Sequence, residues 1–335
     1  MTLRFRLLGI CLASAVAASA QQVHAIGNIF KPLATPAEQS KNLSILTLAI
    51  CAVIFVIVGG LTAYAVFKYR RPAGDDQSEP AQVYGSNQIE IAWTVIPILI
   101  VFVLTMSTAR VIAALQDKRQ IAGQLDVTVV GHQWWWEFRY PALNVVTANE
   151  LHVPLSAPDK PRQTYLKLES ADVAHSFWVP QLSGKTDVIP NRTNHMWFDP
   201  KETGIYLGNC AEYCGTQHAN MLIRVVVDTP EDFDKWVAAQ KELAQAQQAR
   251  DAFLAISCVN CHTVSGTTAA GKFGPDLTHL MSRQTIASGM IPNTAENLRA
   301  WIKDPQEIKP GNLMPNMQLN EKEIDQVVAY LASLK

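Results

Sequence analysis

Within twelve residues, Cys210-Ala-Glu-Tyr-Cys-Gly-Thr-Gln-His-Ala-Asn-Met221 holds two thiols, an imidazole and a thioether, at Cys210, Cys214, His218 and Met221. Soft and borderline ligands of this kind select copper over calcium or magnesium. One thiolate with two histidines suggests a mononuclear blue-copper site. A second cysteine allows two thiolates to bridge two copper ions, with one histidine on each. The motif supplies only His218, so a second histidine has to come from elsewhere, and His175 in His-Ser-Phe-Trp is where we look for it. The alternatives are a disulfide between Cys210 and Cys214, or a structural zinc site. The disulfide leaves His218 and Met221 unexplained.

A second cluster, Cys258-Val-Asn-Cys-His262, has the C-x-x-C-H pattern of covalent c-type haem attachment. Both thiols bond the porphyrin vinyl groups, and the adjacent His262 ligates the iron from one side. Cys-x-x-Cys alone also fits a redox or zinc pair. The sixth ligand is expected to be a methionine on a later loop. Lys309-Pro-Gly-Asn-Leu-Met314-Pro-Asn-Met317 offers two, of which Met314 is preferred and Met317 is the alternative. Methionine opposite histidine is the pairing of electron-transfer cytochromes, and it argues against an open site for oxygen or peroxide.

The elements that must carry these groups are legible in outline. The chain has 335 residues, enough for two or three compact units, and a formal net charge of -1 gives no argument for nucleic acid. Hydrophobic residues make up 48%, unevenly spread, with two long apolar runs near the N-terminus. Arg4 and Arg6, an apolar core over 7–18 and Ala-Ser-Ala at 18–20 read as a signal peptide cleaved before Gln21. Cys11 raises a lipoprotein alternative, which the bulky Ile10 before it disfavours. Residues 44–67 and 91–115 are expected to span the membrane, the first rising about 36 Å as a helix, the second kinked at Pro97. Lys68, Arg70 and Arg71 make the loop between them cytoplasmic by the positive-inside rule, so everything after about residue 116 is expected on the periplasmic side. Glu90, at the cytoplasmic mouth of the second span, reads either as a solvated carboxylate or as the mouth of a proton path.

Over 121–230 the pattern changes to short β-branched and aromatic runs, such as 126–130, 164–168, 195–198 and 222–227, which suggest an antiparallel sandwich or barrel. The copper motif precedes the last of these, and loops on a stiff β frame fix metal geometry well. In Gly-His-Gln-Trp-Trp-Trp-Glu-Phe, strand alternation places Trp134 and Trp136 on one face and Trp135 on the other. Packing accounts for two of these rings, and one exposed ring is a candidate docking surface through which electrons enter. His132, His152, His195 and His279 have no ligand-like spacing to a cysteine and read as surface or structural. Residues 231–250 read as a polar helical linker, and 251–335 as a separate all-α haem domain with helices over 294–303 and 321–334.

Together these features resemble subunit II of the haem–copper cytochrome c oxidases, in the caa form with a fused C-terminal cytochrome c domain. The resemblance rests on Ile-Ala-Trp-Thr-Val-Ile-Pro, Gly-His-Gln-Trp-Trp-Trp, Asp-Val-Ala-His-Ser-Phe-Trp-Val-Pro, Lys-Thr-Asp-Val-Ile-Pro-Asn-Arg and the complete copper motif, and it covers nearly the whole chain. It implies a transmembrane hairpin over 21–120, a cupredoxin-like domain and a cytochrome c domain. It also implies a binuclear CuA centre on Cys210, Cys214, His175, His218, Met221 and the backbone carbonyl of Glu212. The Glu212 carboxylate is implied to reach a magnesium ion shared with subunit I. Trp134 matches the family's tryptophan through which electrons enter, Glu90 its carboxylate at a proton path, and Gly274-Pro275 the segment whose carbonyl orients the haem histidine. Implied partners are subunit I, subunit III and a periplasmic donor such as cytochrome c. Other readings are a stand-alone membrane-anchored electron or copper carrier, and nitrous oxide reductase, which lacks this hairpin. Quinol oxidase subunit II lacks the copper ligands.

Overall fold

The computed structural model describes residues 23–24, 28–70, 74, 79, 82, 84–116, 124–159, 161–243 and 250–335. The signal peptide expected over 1–20, with Cys11, lies outside the described residues, as does Arg71 of the basic loop. In chain order come strand β1 (Val23–His24), helices α1 (Thr35–Lys68) and α2 (Asn87–Leu115), and strands β2 (Leu125–His132), β3 (Trp135–Tyr140), β4 (Val145–Ala148), β5 (Glu150–Pro154), β6 (Thr164–Ser170), β7 (His175–Trp178), β8 (Thr186–Val188), β9 (Asn194–Phe198), β10 (Gly204–Cys210) and β11 (Leu222–Asp228). Helices α3 (Pro230–Gln240) and α4 (Arg250–Ala255), the short strands β12 (Thr285–Ile286) and β13 (Ile291–Pro292), and helices α5 (Ala295–Lys303), α6 (Pro305–Ile308) and α7 (Glu321–Leu331) complete the chain.

Helices α1 and α2 are 34 and 29 residues long and apolar enough to cross a membrane. Their side chains point outward, with Phe55 77% and Phe102 63% exposed, a surface that only lipid or another apolar chain can cover. α1 starts at Thr35, well before the expected 44, for a tertiary reason. Ala34 at its N-cap has no side-chain acceptor, and Asp199 of the β domain supplies one. Its carboxylate accepts from Thr35 N at 2.7 Å and Thr35 Oγ1 at 2.6 Å, where an anion also suits the helix dipole. Leu33, Ala34 and Ala37 are buried there, so the membrane anchor is joined to the β domain by a packed turn. α2 remains helical through Pro97.

The β domain is a two-sheet sandwich of cupredoxin type. One sheet runs β5-β11-β10-β7-β8 with β1 alongside β10, and the other runs β4-β3-β2-β6-β9. β2 pairs with β6, and β5 with β11, in parallel, so the sandwich read as antiparallel is mixed. Inward side chains at alternate positions, Val127 and Val129 on β2 and Leu166 and Leu168 on β6, are buried. Trp136 and Phe138 meet Phe177 of the facing sheet edge-on, at 5.5 Å and 6.4 Å between ring centroids. That is a favoured aromatic geometry.

Two expectations change here. β2 ends at His132 and β3 begins at Trp135, with a turn at Gln133 and Trp134 between them, so strand alternation does not hold across the three tryptophans. None of the three is exposed: Trp134, Trp135 and Trp136 are 8%, 9% and 0% accessible. The second change concerns the linker read over 231–250. α3 is not a free polar bridge but lays Phe233, Trp236 and Val237 on the β domain, with Trp236 stacked on His152 at 4.4 Å. It starts at Thr229, whose hydroxyl accepts from Asp232 N at 3.2 Å. Residues 244–249 lie outside the described residues.

The C-terminal domain packs α4, α5 and α7 around Phe253, Val264, Leu298, Val327, Tyr330 and Leu331. To the expected helices it adds the β12–β13 ladder. α7 opens with a capping box, Asn320 and Glu323 each bonding the other's backbone N–H at 2.9–3.0 Å, and ends at Leu331 rather than 334.

Candidate redox centres

His175 is the first residue of β7 and Cys210 the last of β10, and these strands pair edge to edge. The copper motif then turns back through Gly215 and a short 3-10 turn at His218–Asn220 before β11. Cys210 Sγ lies 3.8 Å from Cys214 Sγ and 4.0 Å from His175 Nδ1. Cys214 Sγ lies 3.7 Å from His218 Nδ1 and 3.9 Å from Met221 Sδ. The Glu212 carbonyl is 3.2 Å from Cys210 Sγ. The sulfurs stand far outside the roughly 2.05 Å of a disulfide. Ligand atoms held about 2.0–2.3 Å from a tetrahedral metal stand roughly 3.3–3.8 Å apart, close to the spacings seen. The donor set therefore fits soft metal ions, and His175, Cys210 and Cys214 are all buried.

The surroundings orient these donors. Asp172 Oδ1 is 2.8 Å from His175 Nε2, which leaves Nδ1 aimed at the sulfur. Burial opposes charge on His175, yet the bonds to Asp172 and Cys210 raise its pKa. The two thiols share a proton unequally. The hydrogen bond from Cys214 favours the Cys210 thiolate, and Cys214 is pushed up in return. The Glu212 side chain is exposed on the motif's outer side. Beside it Tyr213 is 76% exposed.

In the C-terminal domain, Cys258, Cys261, His262 and Met314 line one cavity of about 350 Å³, within the range of cofactor sites. His262 Nδ1 meets the Pro275 carbonyl at 2.7 Å, so its Nε2 is the nitrogen left for a ligand. Gly274 leaves room for this ring, since a Cβ there falls 2.5 Å from His262 Cε1. Met314 is steadied by the Asn312 side chain, which accepts from its N–H at 2.8 Å, and by Gln306 Nε2 on its carbonyl at 2.8 Å. Met317 lines the same cavity. Arg283 is buried on the wall, and its Nε has no hydrogen-bond partner among the described residues. Its Nη2 donates to the Asp276 carbonyl, so Nε is the donor left over on the cavity wall, and a spare guanidinium donor there suits a cofactor that bears carboxylates, as haem does.

The cavity does not belong to one domain alone. Gln133, Trp134 and Trp135 of the β domain also line it. Gln133 Nε2 and Trp134 Nε1 both donate to the Cys214 carbonyl, at 2.7 and 2.9 Å. Gly215, at φ +116°, lets the loop pass this close, because a Cβ there meets Trp134 Cζ2 at 2.9 Å. Two buried charges cross the same domain contact in opposite senses. The Glu150 carboxylate accepts from Gln284 N at 2.9 Å, Thr285 N at 2.9 Å and Thr285 Oγ1 at 2.6 Å. Lys309 Nζ donates to the carbonyls of Trp134 and Asn220, both at 2.9 Å, and burial pushes its pKa down to about 7. Gln217 adds a bond to the Pro310 carbonyl.

Sequence reasoning named the sulfur and imidazole groups but missed Gln133, Glu150, Asp172, Arg283 and Lys309. Asp172 and Lys309 lie inside stretches singled out for their neighbours, while Glu150 carries no local signal. Four further histidines, His132, His152, His195 and His279, are structural. His132 Nε2 bonds Glu137 at 3.1 Å, His152 Nδ1 bonds Asp228 at 2.8 Å, His279 Nδ1 meets the Lys335 carbonyl at 2.8 Å, and His195 stacks on Tyr165. Glu90 is exposed in the first turn of α2.

Three family profiles match the chain. "Cytochrome C oxidase subunit II, transmembrane domain" covers residues 21–111, its "periplasmic domain" covers 158–229, and "Cytochrome c" covers 246–335. Cytochrome c oxidase subunit 2 of Alkalihalophilus pseudofirmus is 37% identical over 302 residues, 87% of this chain and 86% of that protein. The subunit 2 of Bacillus sp. (strain PS3) is 36% identical over 290 residues, 80% of each chain. That of Bacillus subtilis is 32% identical over 329 residues, 91% of each. These matches imply copper for the buried cysteine–histidine cluster and haem c for the C-terminal cavity. The chain thus belongs to the cytochrome c oxidase subunit II family, as a membrane-anchored oxidase subunit with its own cytochrome c domain.

Proposed function

We propose that this subunit is an internal electron relay, in which the C-terminal domain receives electrons from a periplasmic donor and the β domain hands them to subunit I. Oxygen is reduced to water there, with protons pumped across the inner membrane. When bound, the haem and the copper pair supply reversible one-electron chemistry. The observation that carries this reading is the shared wall between the centres. Two of the residues lining the haem cavity on the β-domain side, Gln133 and Trp134, are hydrogen-bonded to the carbonyl of Cys214.

The roles follow from position. Cys258 and Cys261 would hold the haem covalently, and His262, oriented by the Pro275 carbonyl, and Met314 are the side chains that would bind its iron. Cys210, Cys214, His175, His218, Met221 and the Glu212 carbonyl would hold a binuclear copper centre. Asp172 fixes the His175 ring, and the buried Cys210 and Cys214 are held where they would not need to move when an electron arrives. Trp134 is the contact between the centres rather than a landing site for a soluble protein. The exposed Glu212 carboxylate and Tyr213 face outward, and Glu212 would hold a magnesium ion shared with subunit I. Glu90 is the mouth of a proton path, and subunit III completes the complex. The soluble domains lie on the periplasmic side of the bacterial inner membrane.

The test is spectroscopic, on purified oxidase containing this chain. Expected are two copper atoms and one haem c per chain in this subunit, a low-spin c-type haem band and a seven-line copper EPR signal. Cys214→Ser is expected to abolish the copper signal and oxygen consumption while the haem band stays. A four-line signal, or full oxygen consumption by Cys214→Ser, refutes the assignment.

A further inference from the structure

Lys309 has no part in the roles above, yet it is one of the most deeply buried charges in the molecule, 3% exposed. No carboxylate pairs with it among the described residues. It is held by two backbone carbonyls of the other domain, Trp134 and Asn220. A buried amine with no carboxylate beside it is costly to charge, although the Cys214 thiolate favours that charge, and a methionine fills similar space without the cost. A lysine at this place is therefore best explained by what its donors do.

Its two acceptors define that job. Trp134 leads into the haem cavity wall and reaches Cys214 through its indole. Asn220 is the residue before Met221, at the opposite end of the copper motif. Lys309 itself begins the loop that carries Met314, five residues on. One ammonium thus ties the methionine side of the haem cavity to both flanks of the copper loop. Gln217 clamps the next residue of that loop by its bond to Pro310. We propose that Lys309 is a positioning residue for electron passage between the two centres, holding the 309–314 loop in register with the copper loop. This deepens the relay reading and rests on it.

The experiment uses intact oxidase carrying Lys309→Met or Lys309→Arg in this chain. Copper and haem contents are measured first, with the optical and EPR spectra. Haem c is then reduced by a brief pulse of a photoreductant, and the arrival of the electron at copper is timed. Hydrogen exchange at 133–136 and 217–221 gives a readout independent of activity. Lys309→Met is expected to keep both cofactors and unchanged spectra, to slow passage about tenfold or more, the scale of one charge-assisted hydrogen bond, and to speed exchange in both segments. Lys309→Arg is expected to fall between it and the wild type. A small-molecule reductant that reduces copper directly should support normal oxygen consumption in every variant.

Unchanged passage in Lys309→Met overturns the inference while leaving the relay intact. So does a shifted copper spectrum, which would make Lys309 act on the metal itself. Loss of a cofactor from both variants overturns it too, by making Lys309 a folding residue. If the wild type passes no electron from haem to copper, the relay reading fails and takes this inference with it.

Discussion

Replacing Glu150 by alanine is the sharpest probe of how the two soluble domains are joined. Glu150 is 1% exposed and accepts from two backbone N–H groups and one hydroxyl of the haem domain. It also lies 3.6 Å from Arg224 Nε. Removing the carboxylate strands three donors in a contact that water reaches poorly and takes the anion from beside Arg224, whose Nη2 keeps its bond to Gln284 Oε1 at 3.0 Å. A buried hydrogen bond to a charged group is worth about 1.5–3 kcal/mol, and breaking a buried charged pair costs about 3–5 kcal/mol. Local relaxation and water entry make about 3 kcal/mol a working figure, roughly a 150-fold shift from docked towards undocked. Glu150→Gln keeps one acceptor oxygen but turns an N–H₂ towards Gln284 N, so about 1–2 kcal/mol is expected. The assay is hydrogen exchange at the amides of Gln284 and Thr285 in the folded oxidase, with haem and copper contents as controls. Protection at those amides should fall by about two orders of magnitude in Glu150→Ala and by about one in Glu150→Gln, with both cofactors retained. Protection within threefold of wild type in Glu150→Ala would refute the view that this carboxylate fastens the domains.

Other outcomes follow from the same geometry. Gly274→Ala forces a methyl group against His262 and is expected to destabilise the haem domain by about 1–3 kcal/mol and to perturb the low-spin band, seen in thermal melts and optical spectra. Met314→Leu should convert the haem to a high-spin form, whereas Met317→Leu should leave the band in place; the reverse result reassigns the axial ligand. Glu137 offers a pH test. Burial opposes its charge, but the bonds from His132 and Arg139 win and lower its pKa to about 2 from an ordinary 4.5. Its contribution is therefore complete above about pH 4.5 and lost as pH falls towards 2. Glu137→Gln should cost the β domain about 1–2 kcal/mol at neutral pH and much less near pH 2, measured by denaturant unfolding at both pH values.

Much of the site was readable from sequence because its chemistry is packed into short runs. Cys210 to Met221 and Cys258 to His262 each declare a cofactor by residue type and spacing alone. His175 was found only because the copper pair lacked a histidine, and it is pairing between β7 and β10 that brings it to Cys210. The tryptophans reveal less of their own setting. Period-two reasoning assumes an unbroken strand, and the turn at Gln133 and Trp134 breaks it. The docking of α3 is hidden in the sequence because its polar residues outnumber the three apolar ones that dock, and the surface they dock on is made by distant strands. Glu150 and Lys309 were invisible for the same reason. A charge declares its burial only when the domain that covers it is in view.

The burial of those two charges has a kinetic meaning. Salt screens exposed charges over about 8–10 Å at ordinary ionic strength, and buried ones far less. A contact pinned by Glu150 and Lys309 should therefore neither loosen nor tighten as salt is raised, and in the relay proposed above passage across it is first order, with no encounter to wait for. Collision with an outside donor is second order, and salt sensitive wherever charges steer it. Ionic strength then becomes a knife between the two halves of the reaction: whatever part of turnover it changes belongs to the donor's arrival, and whatever it leaves alone belongs to the interior of this subunit.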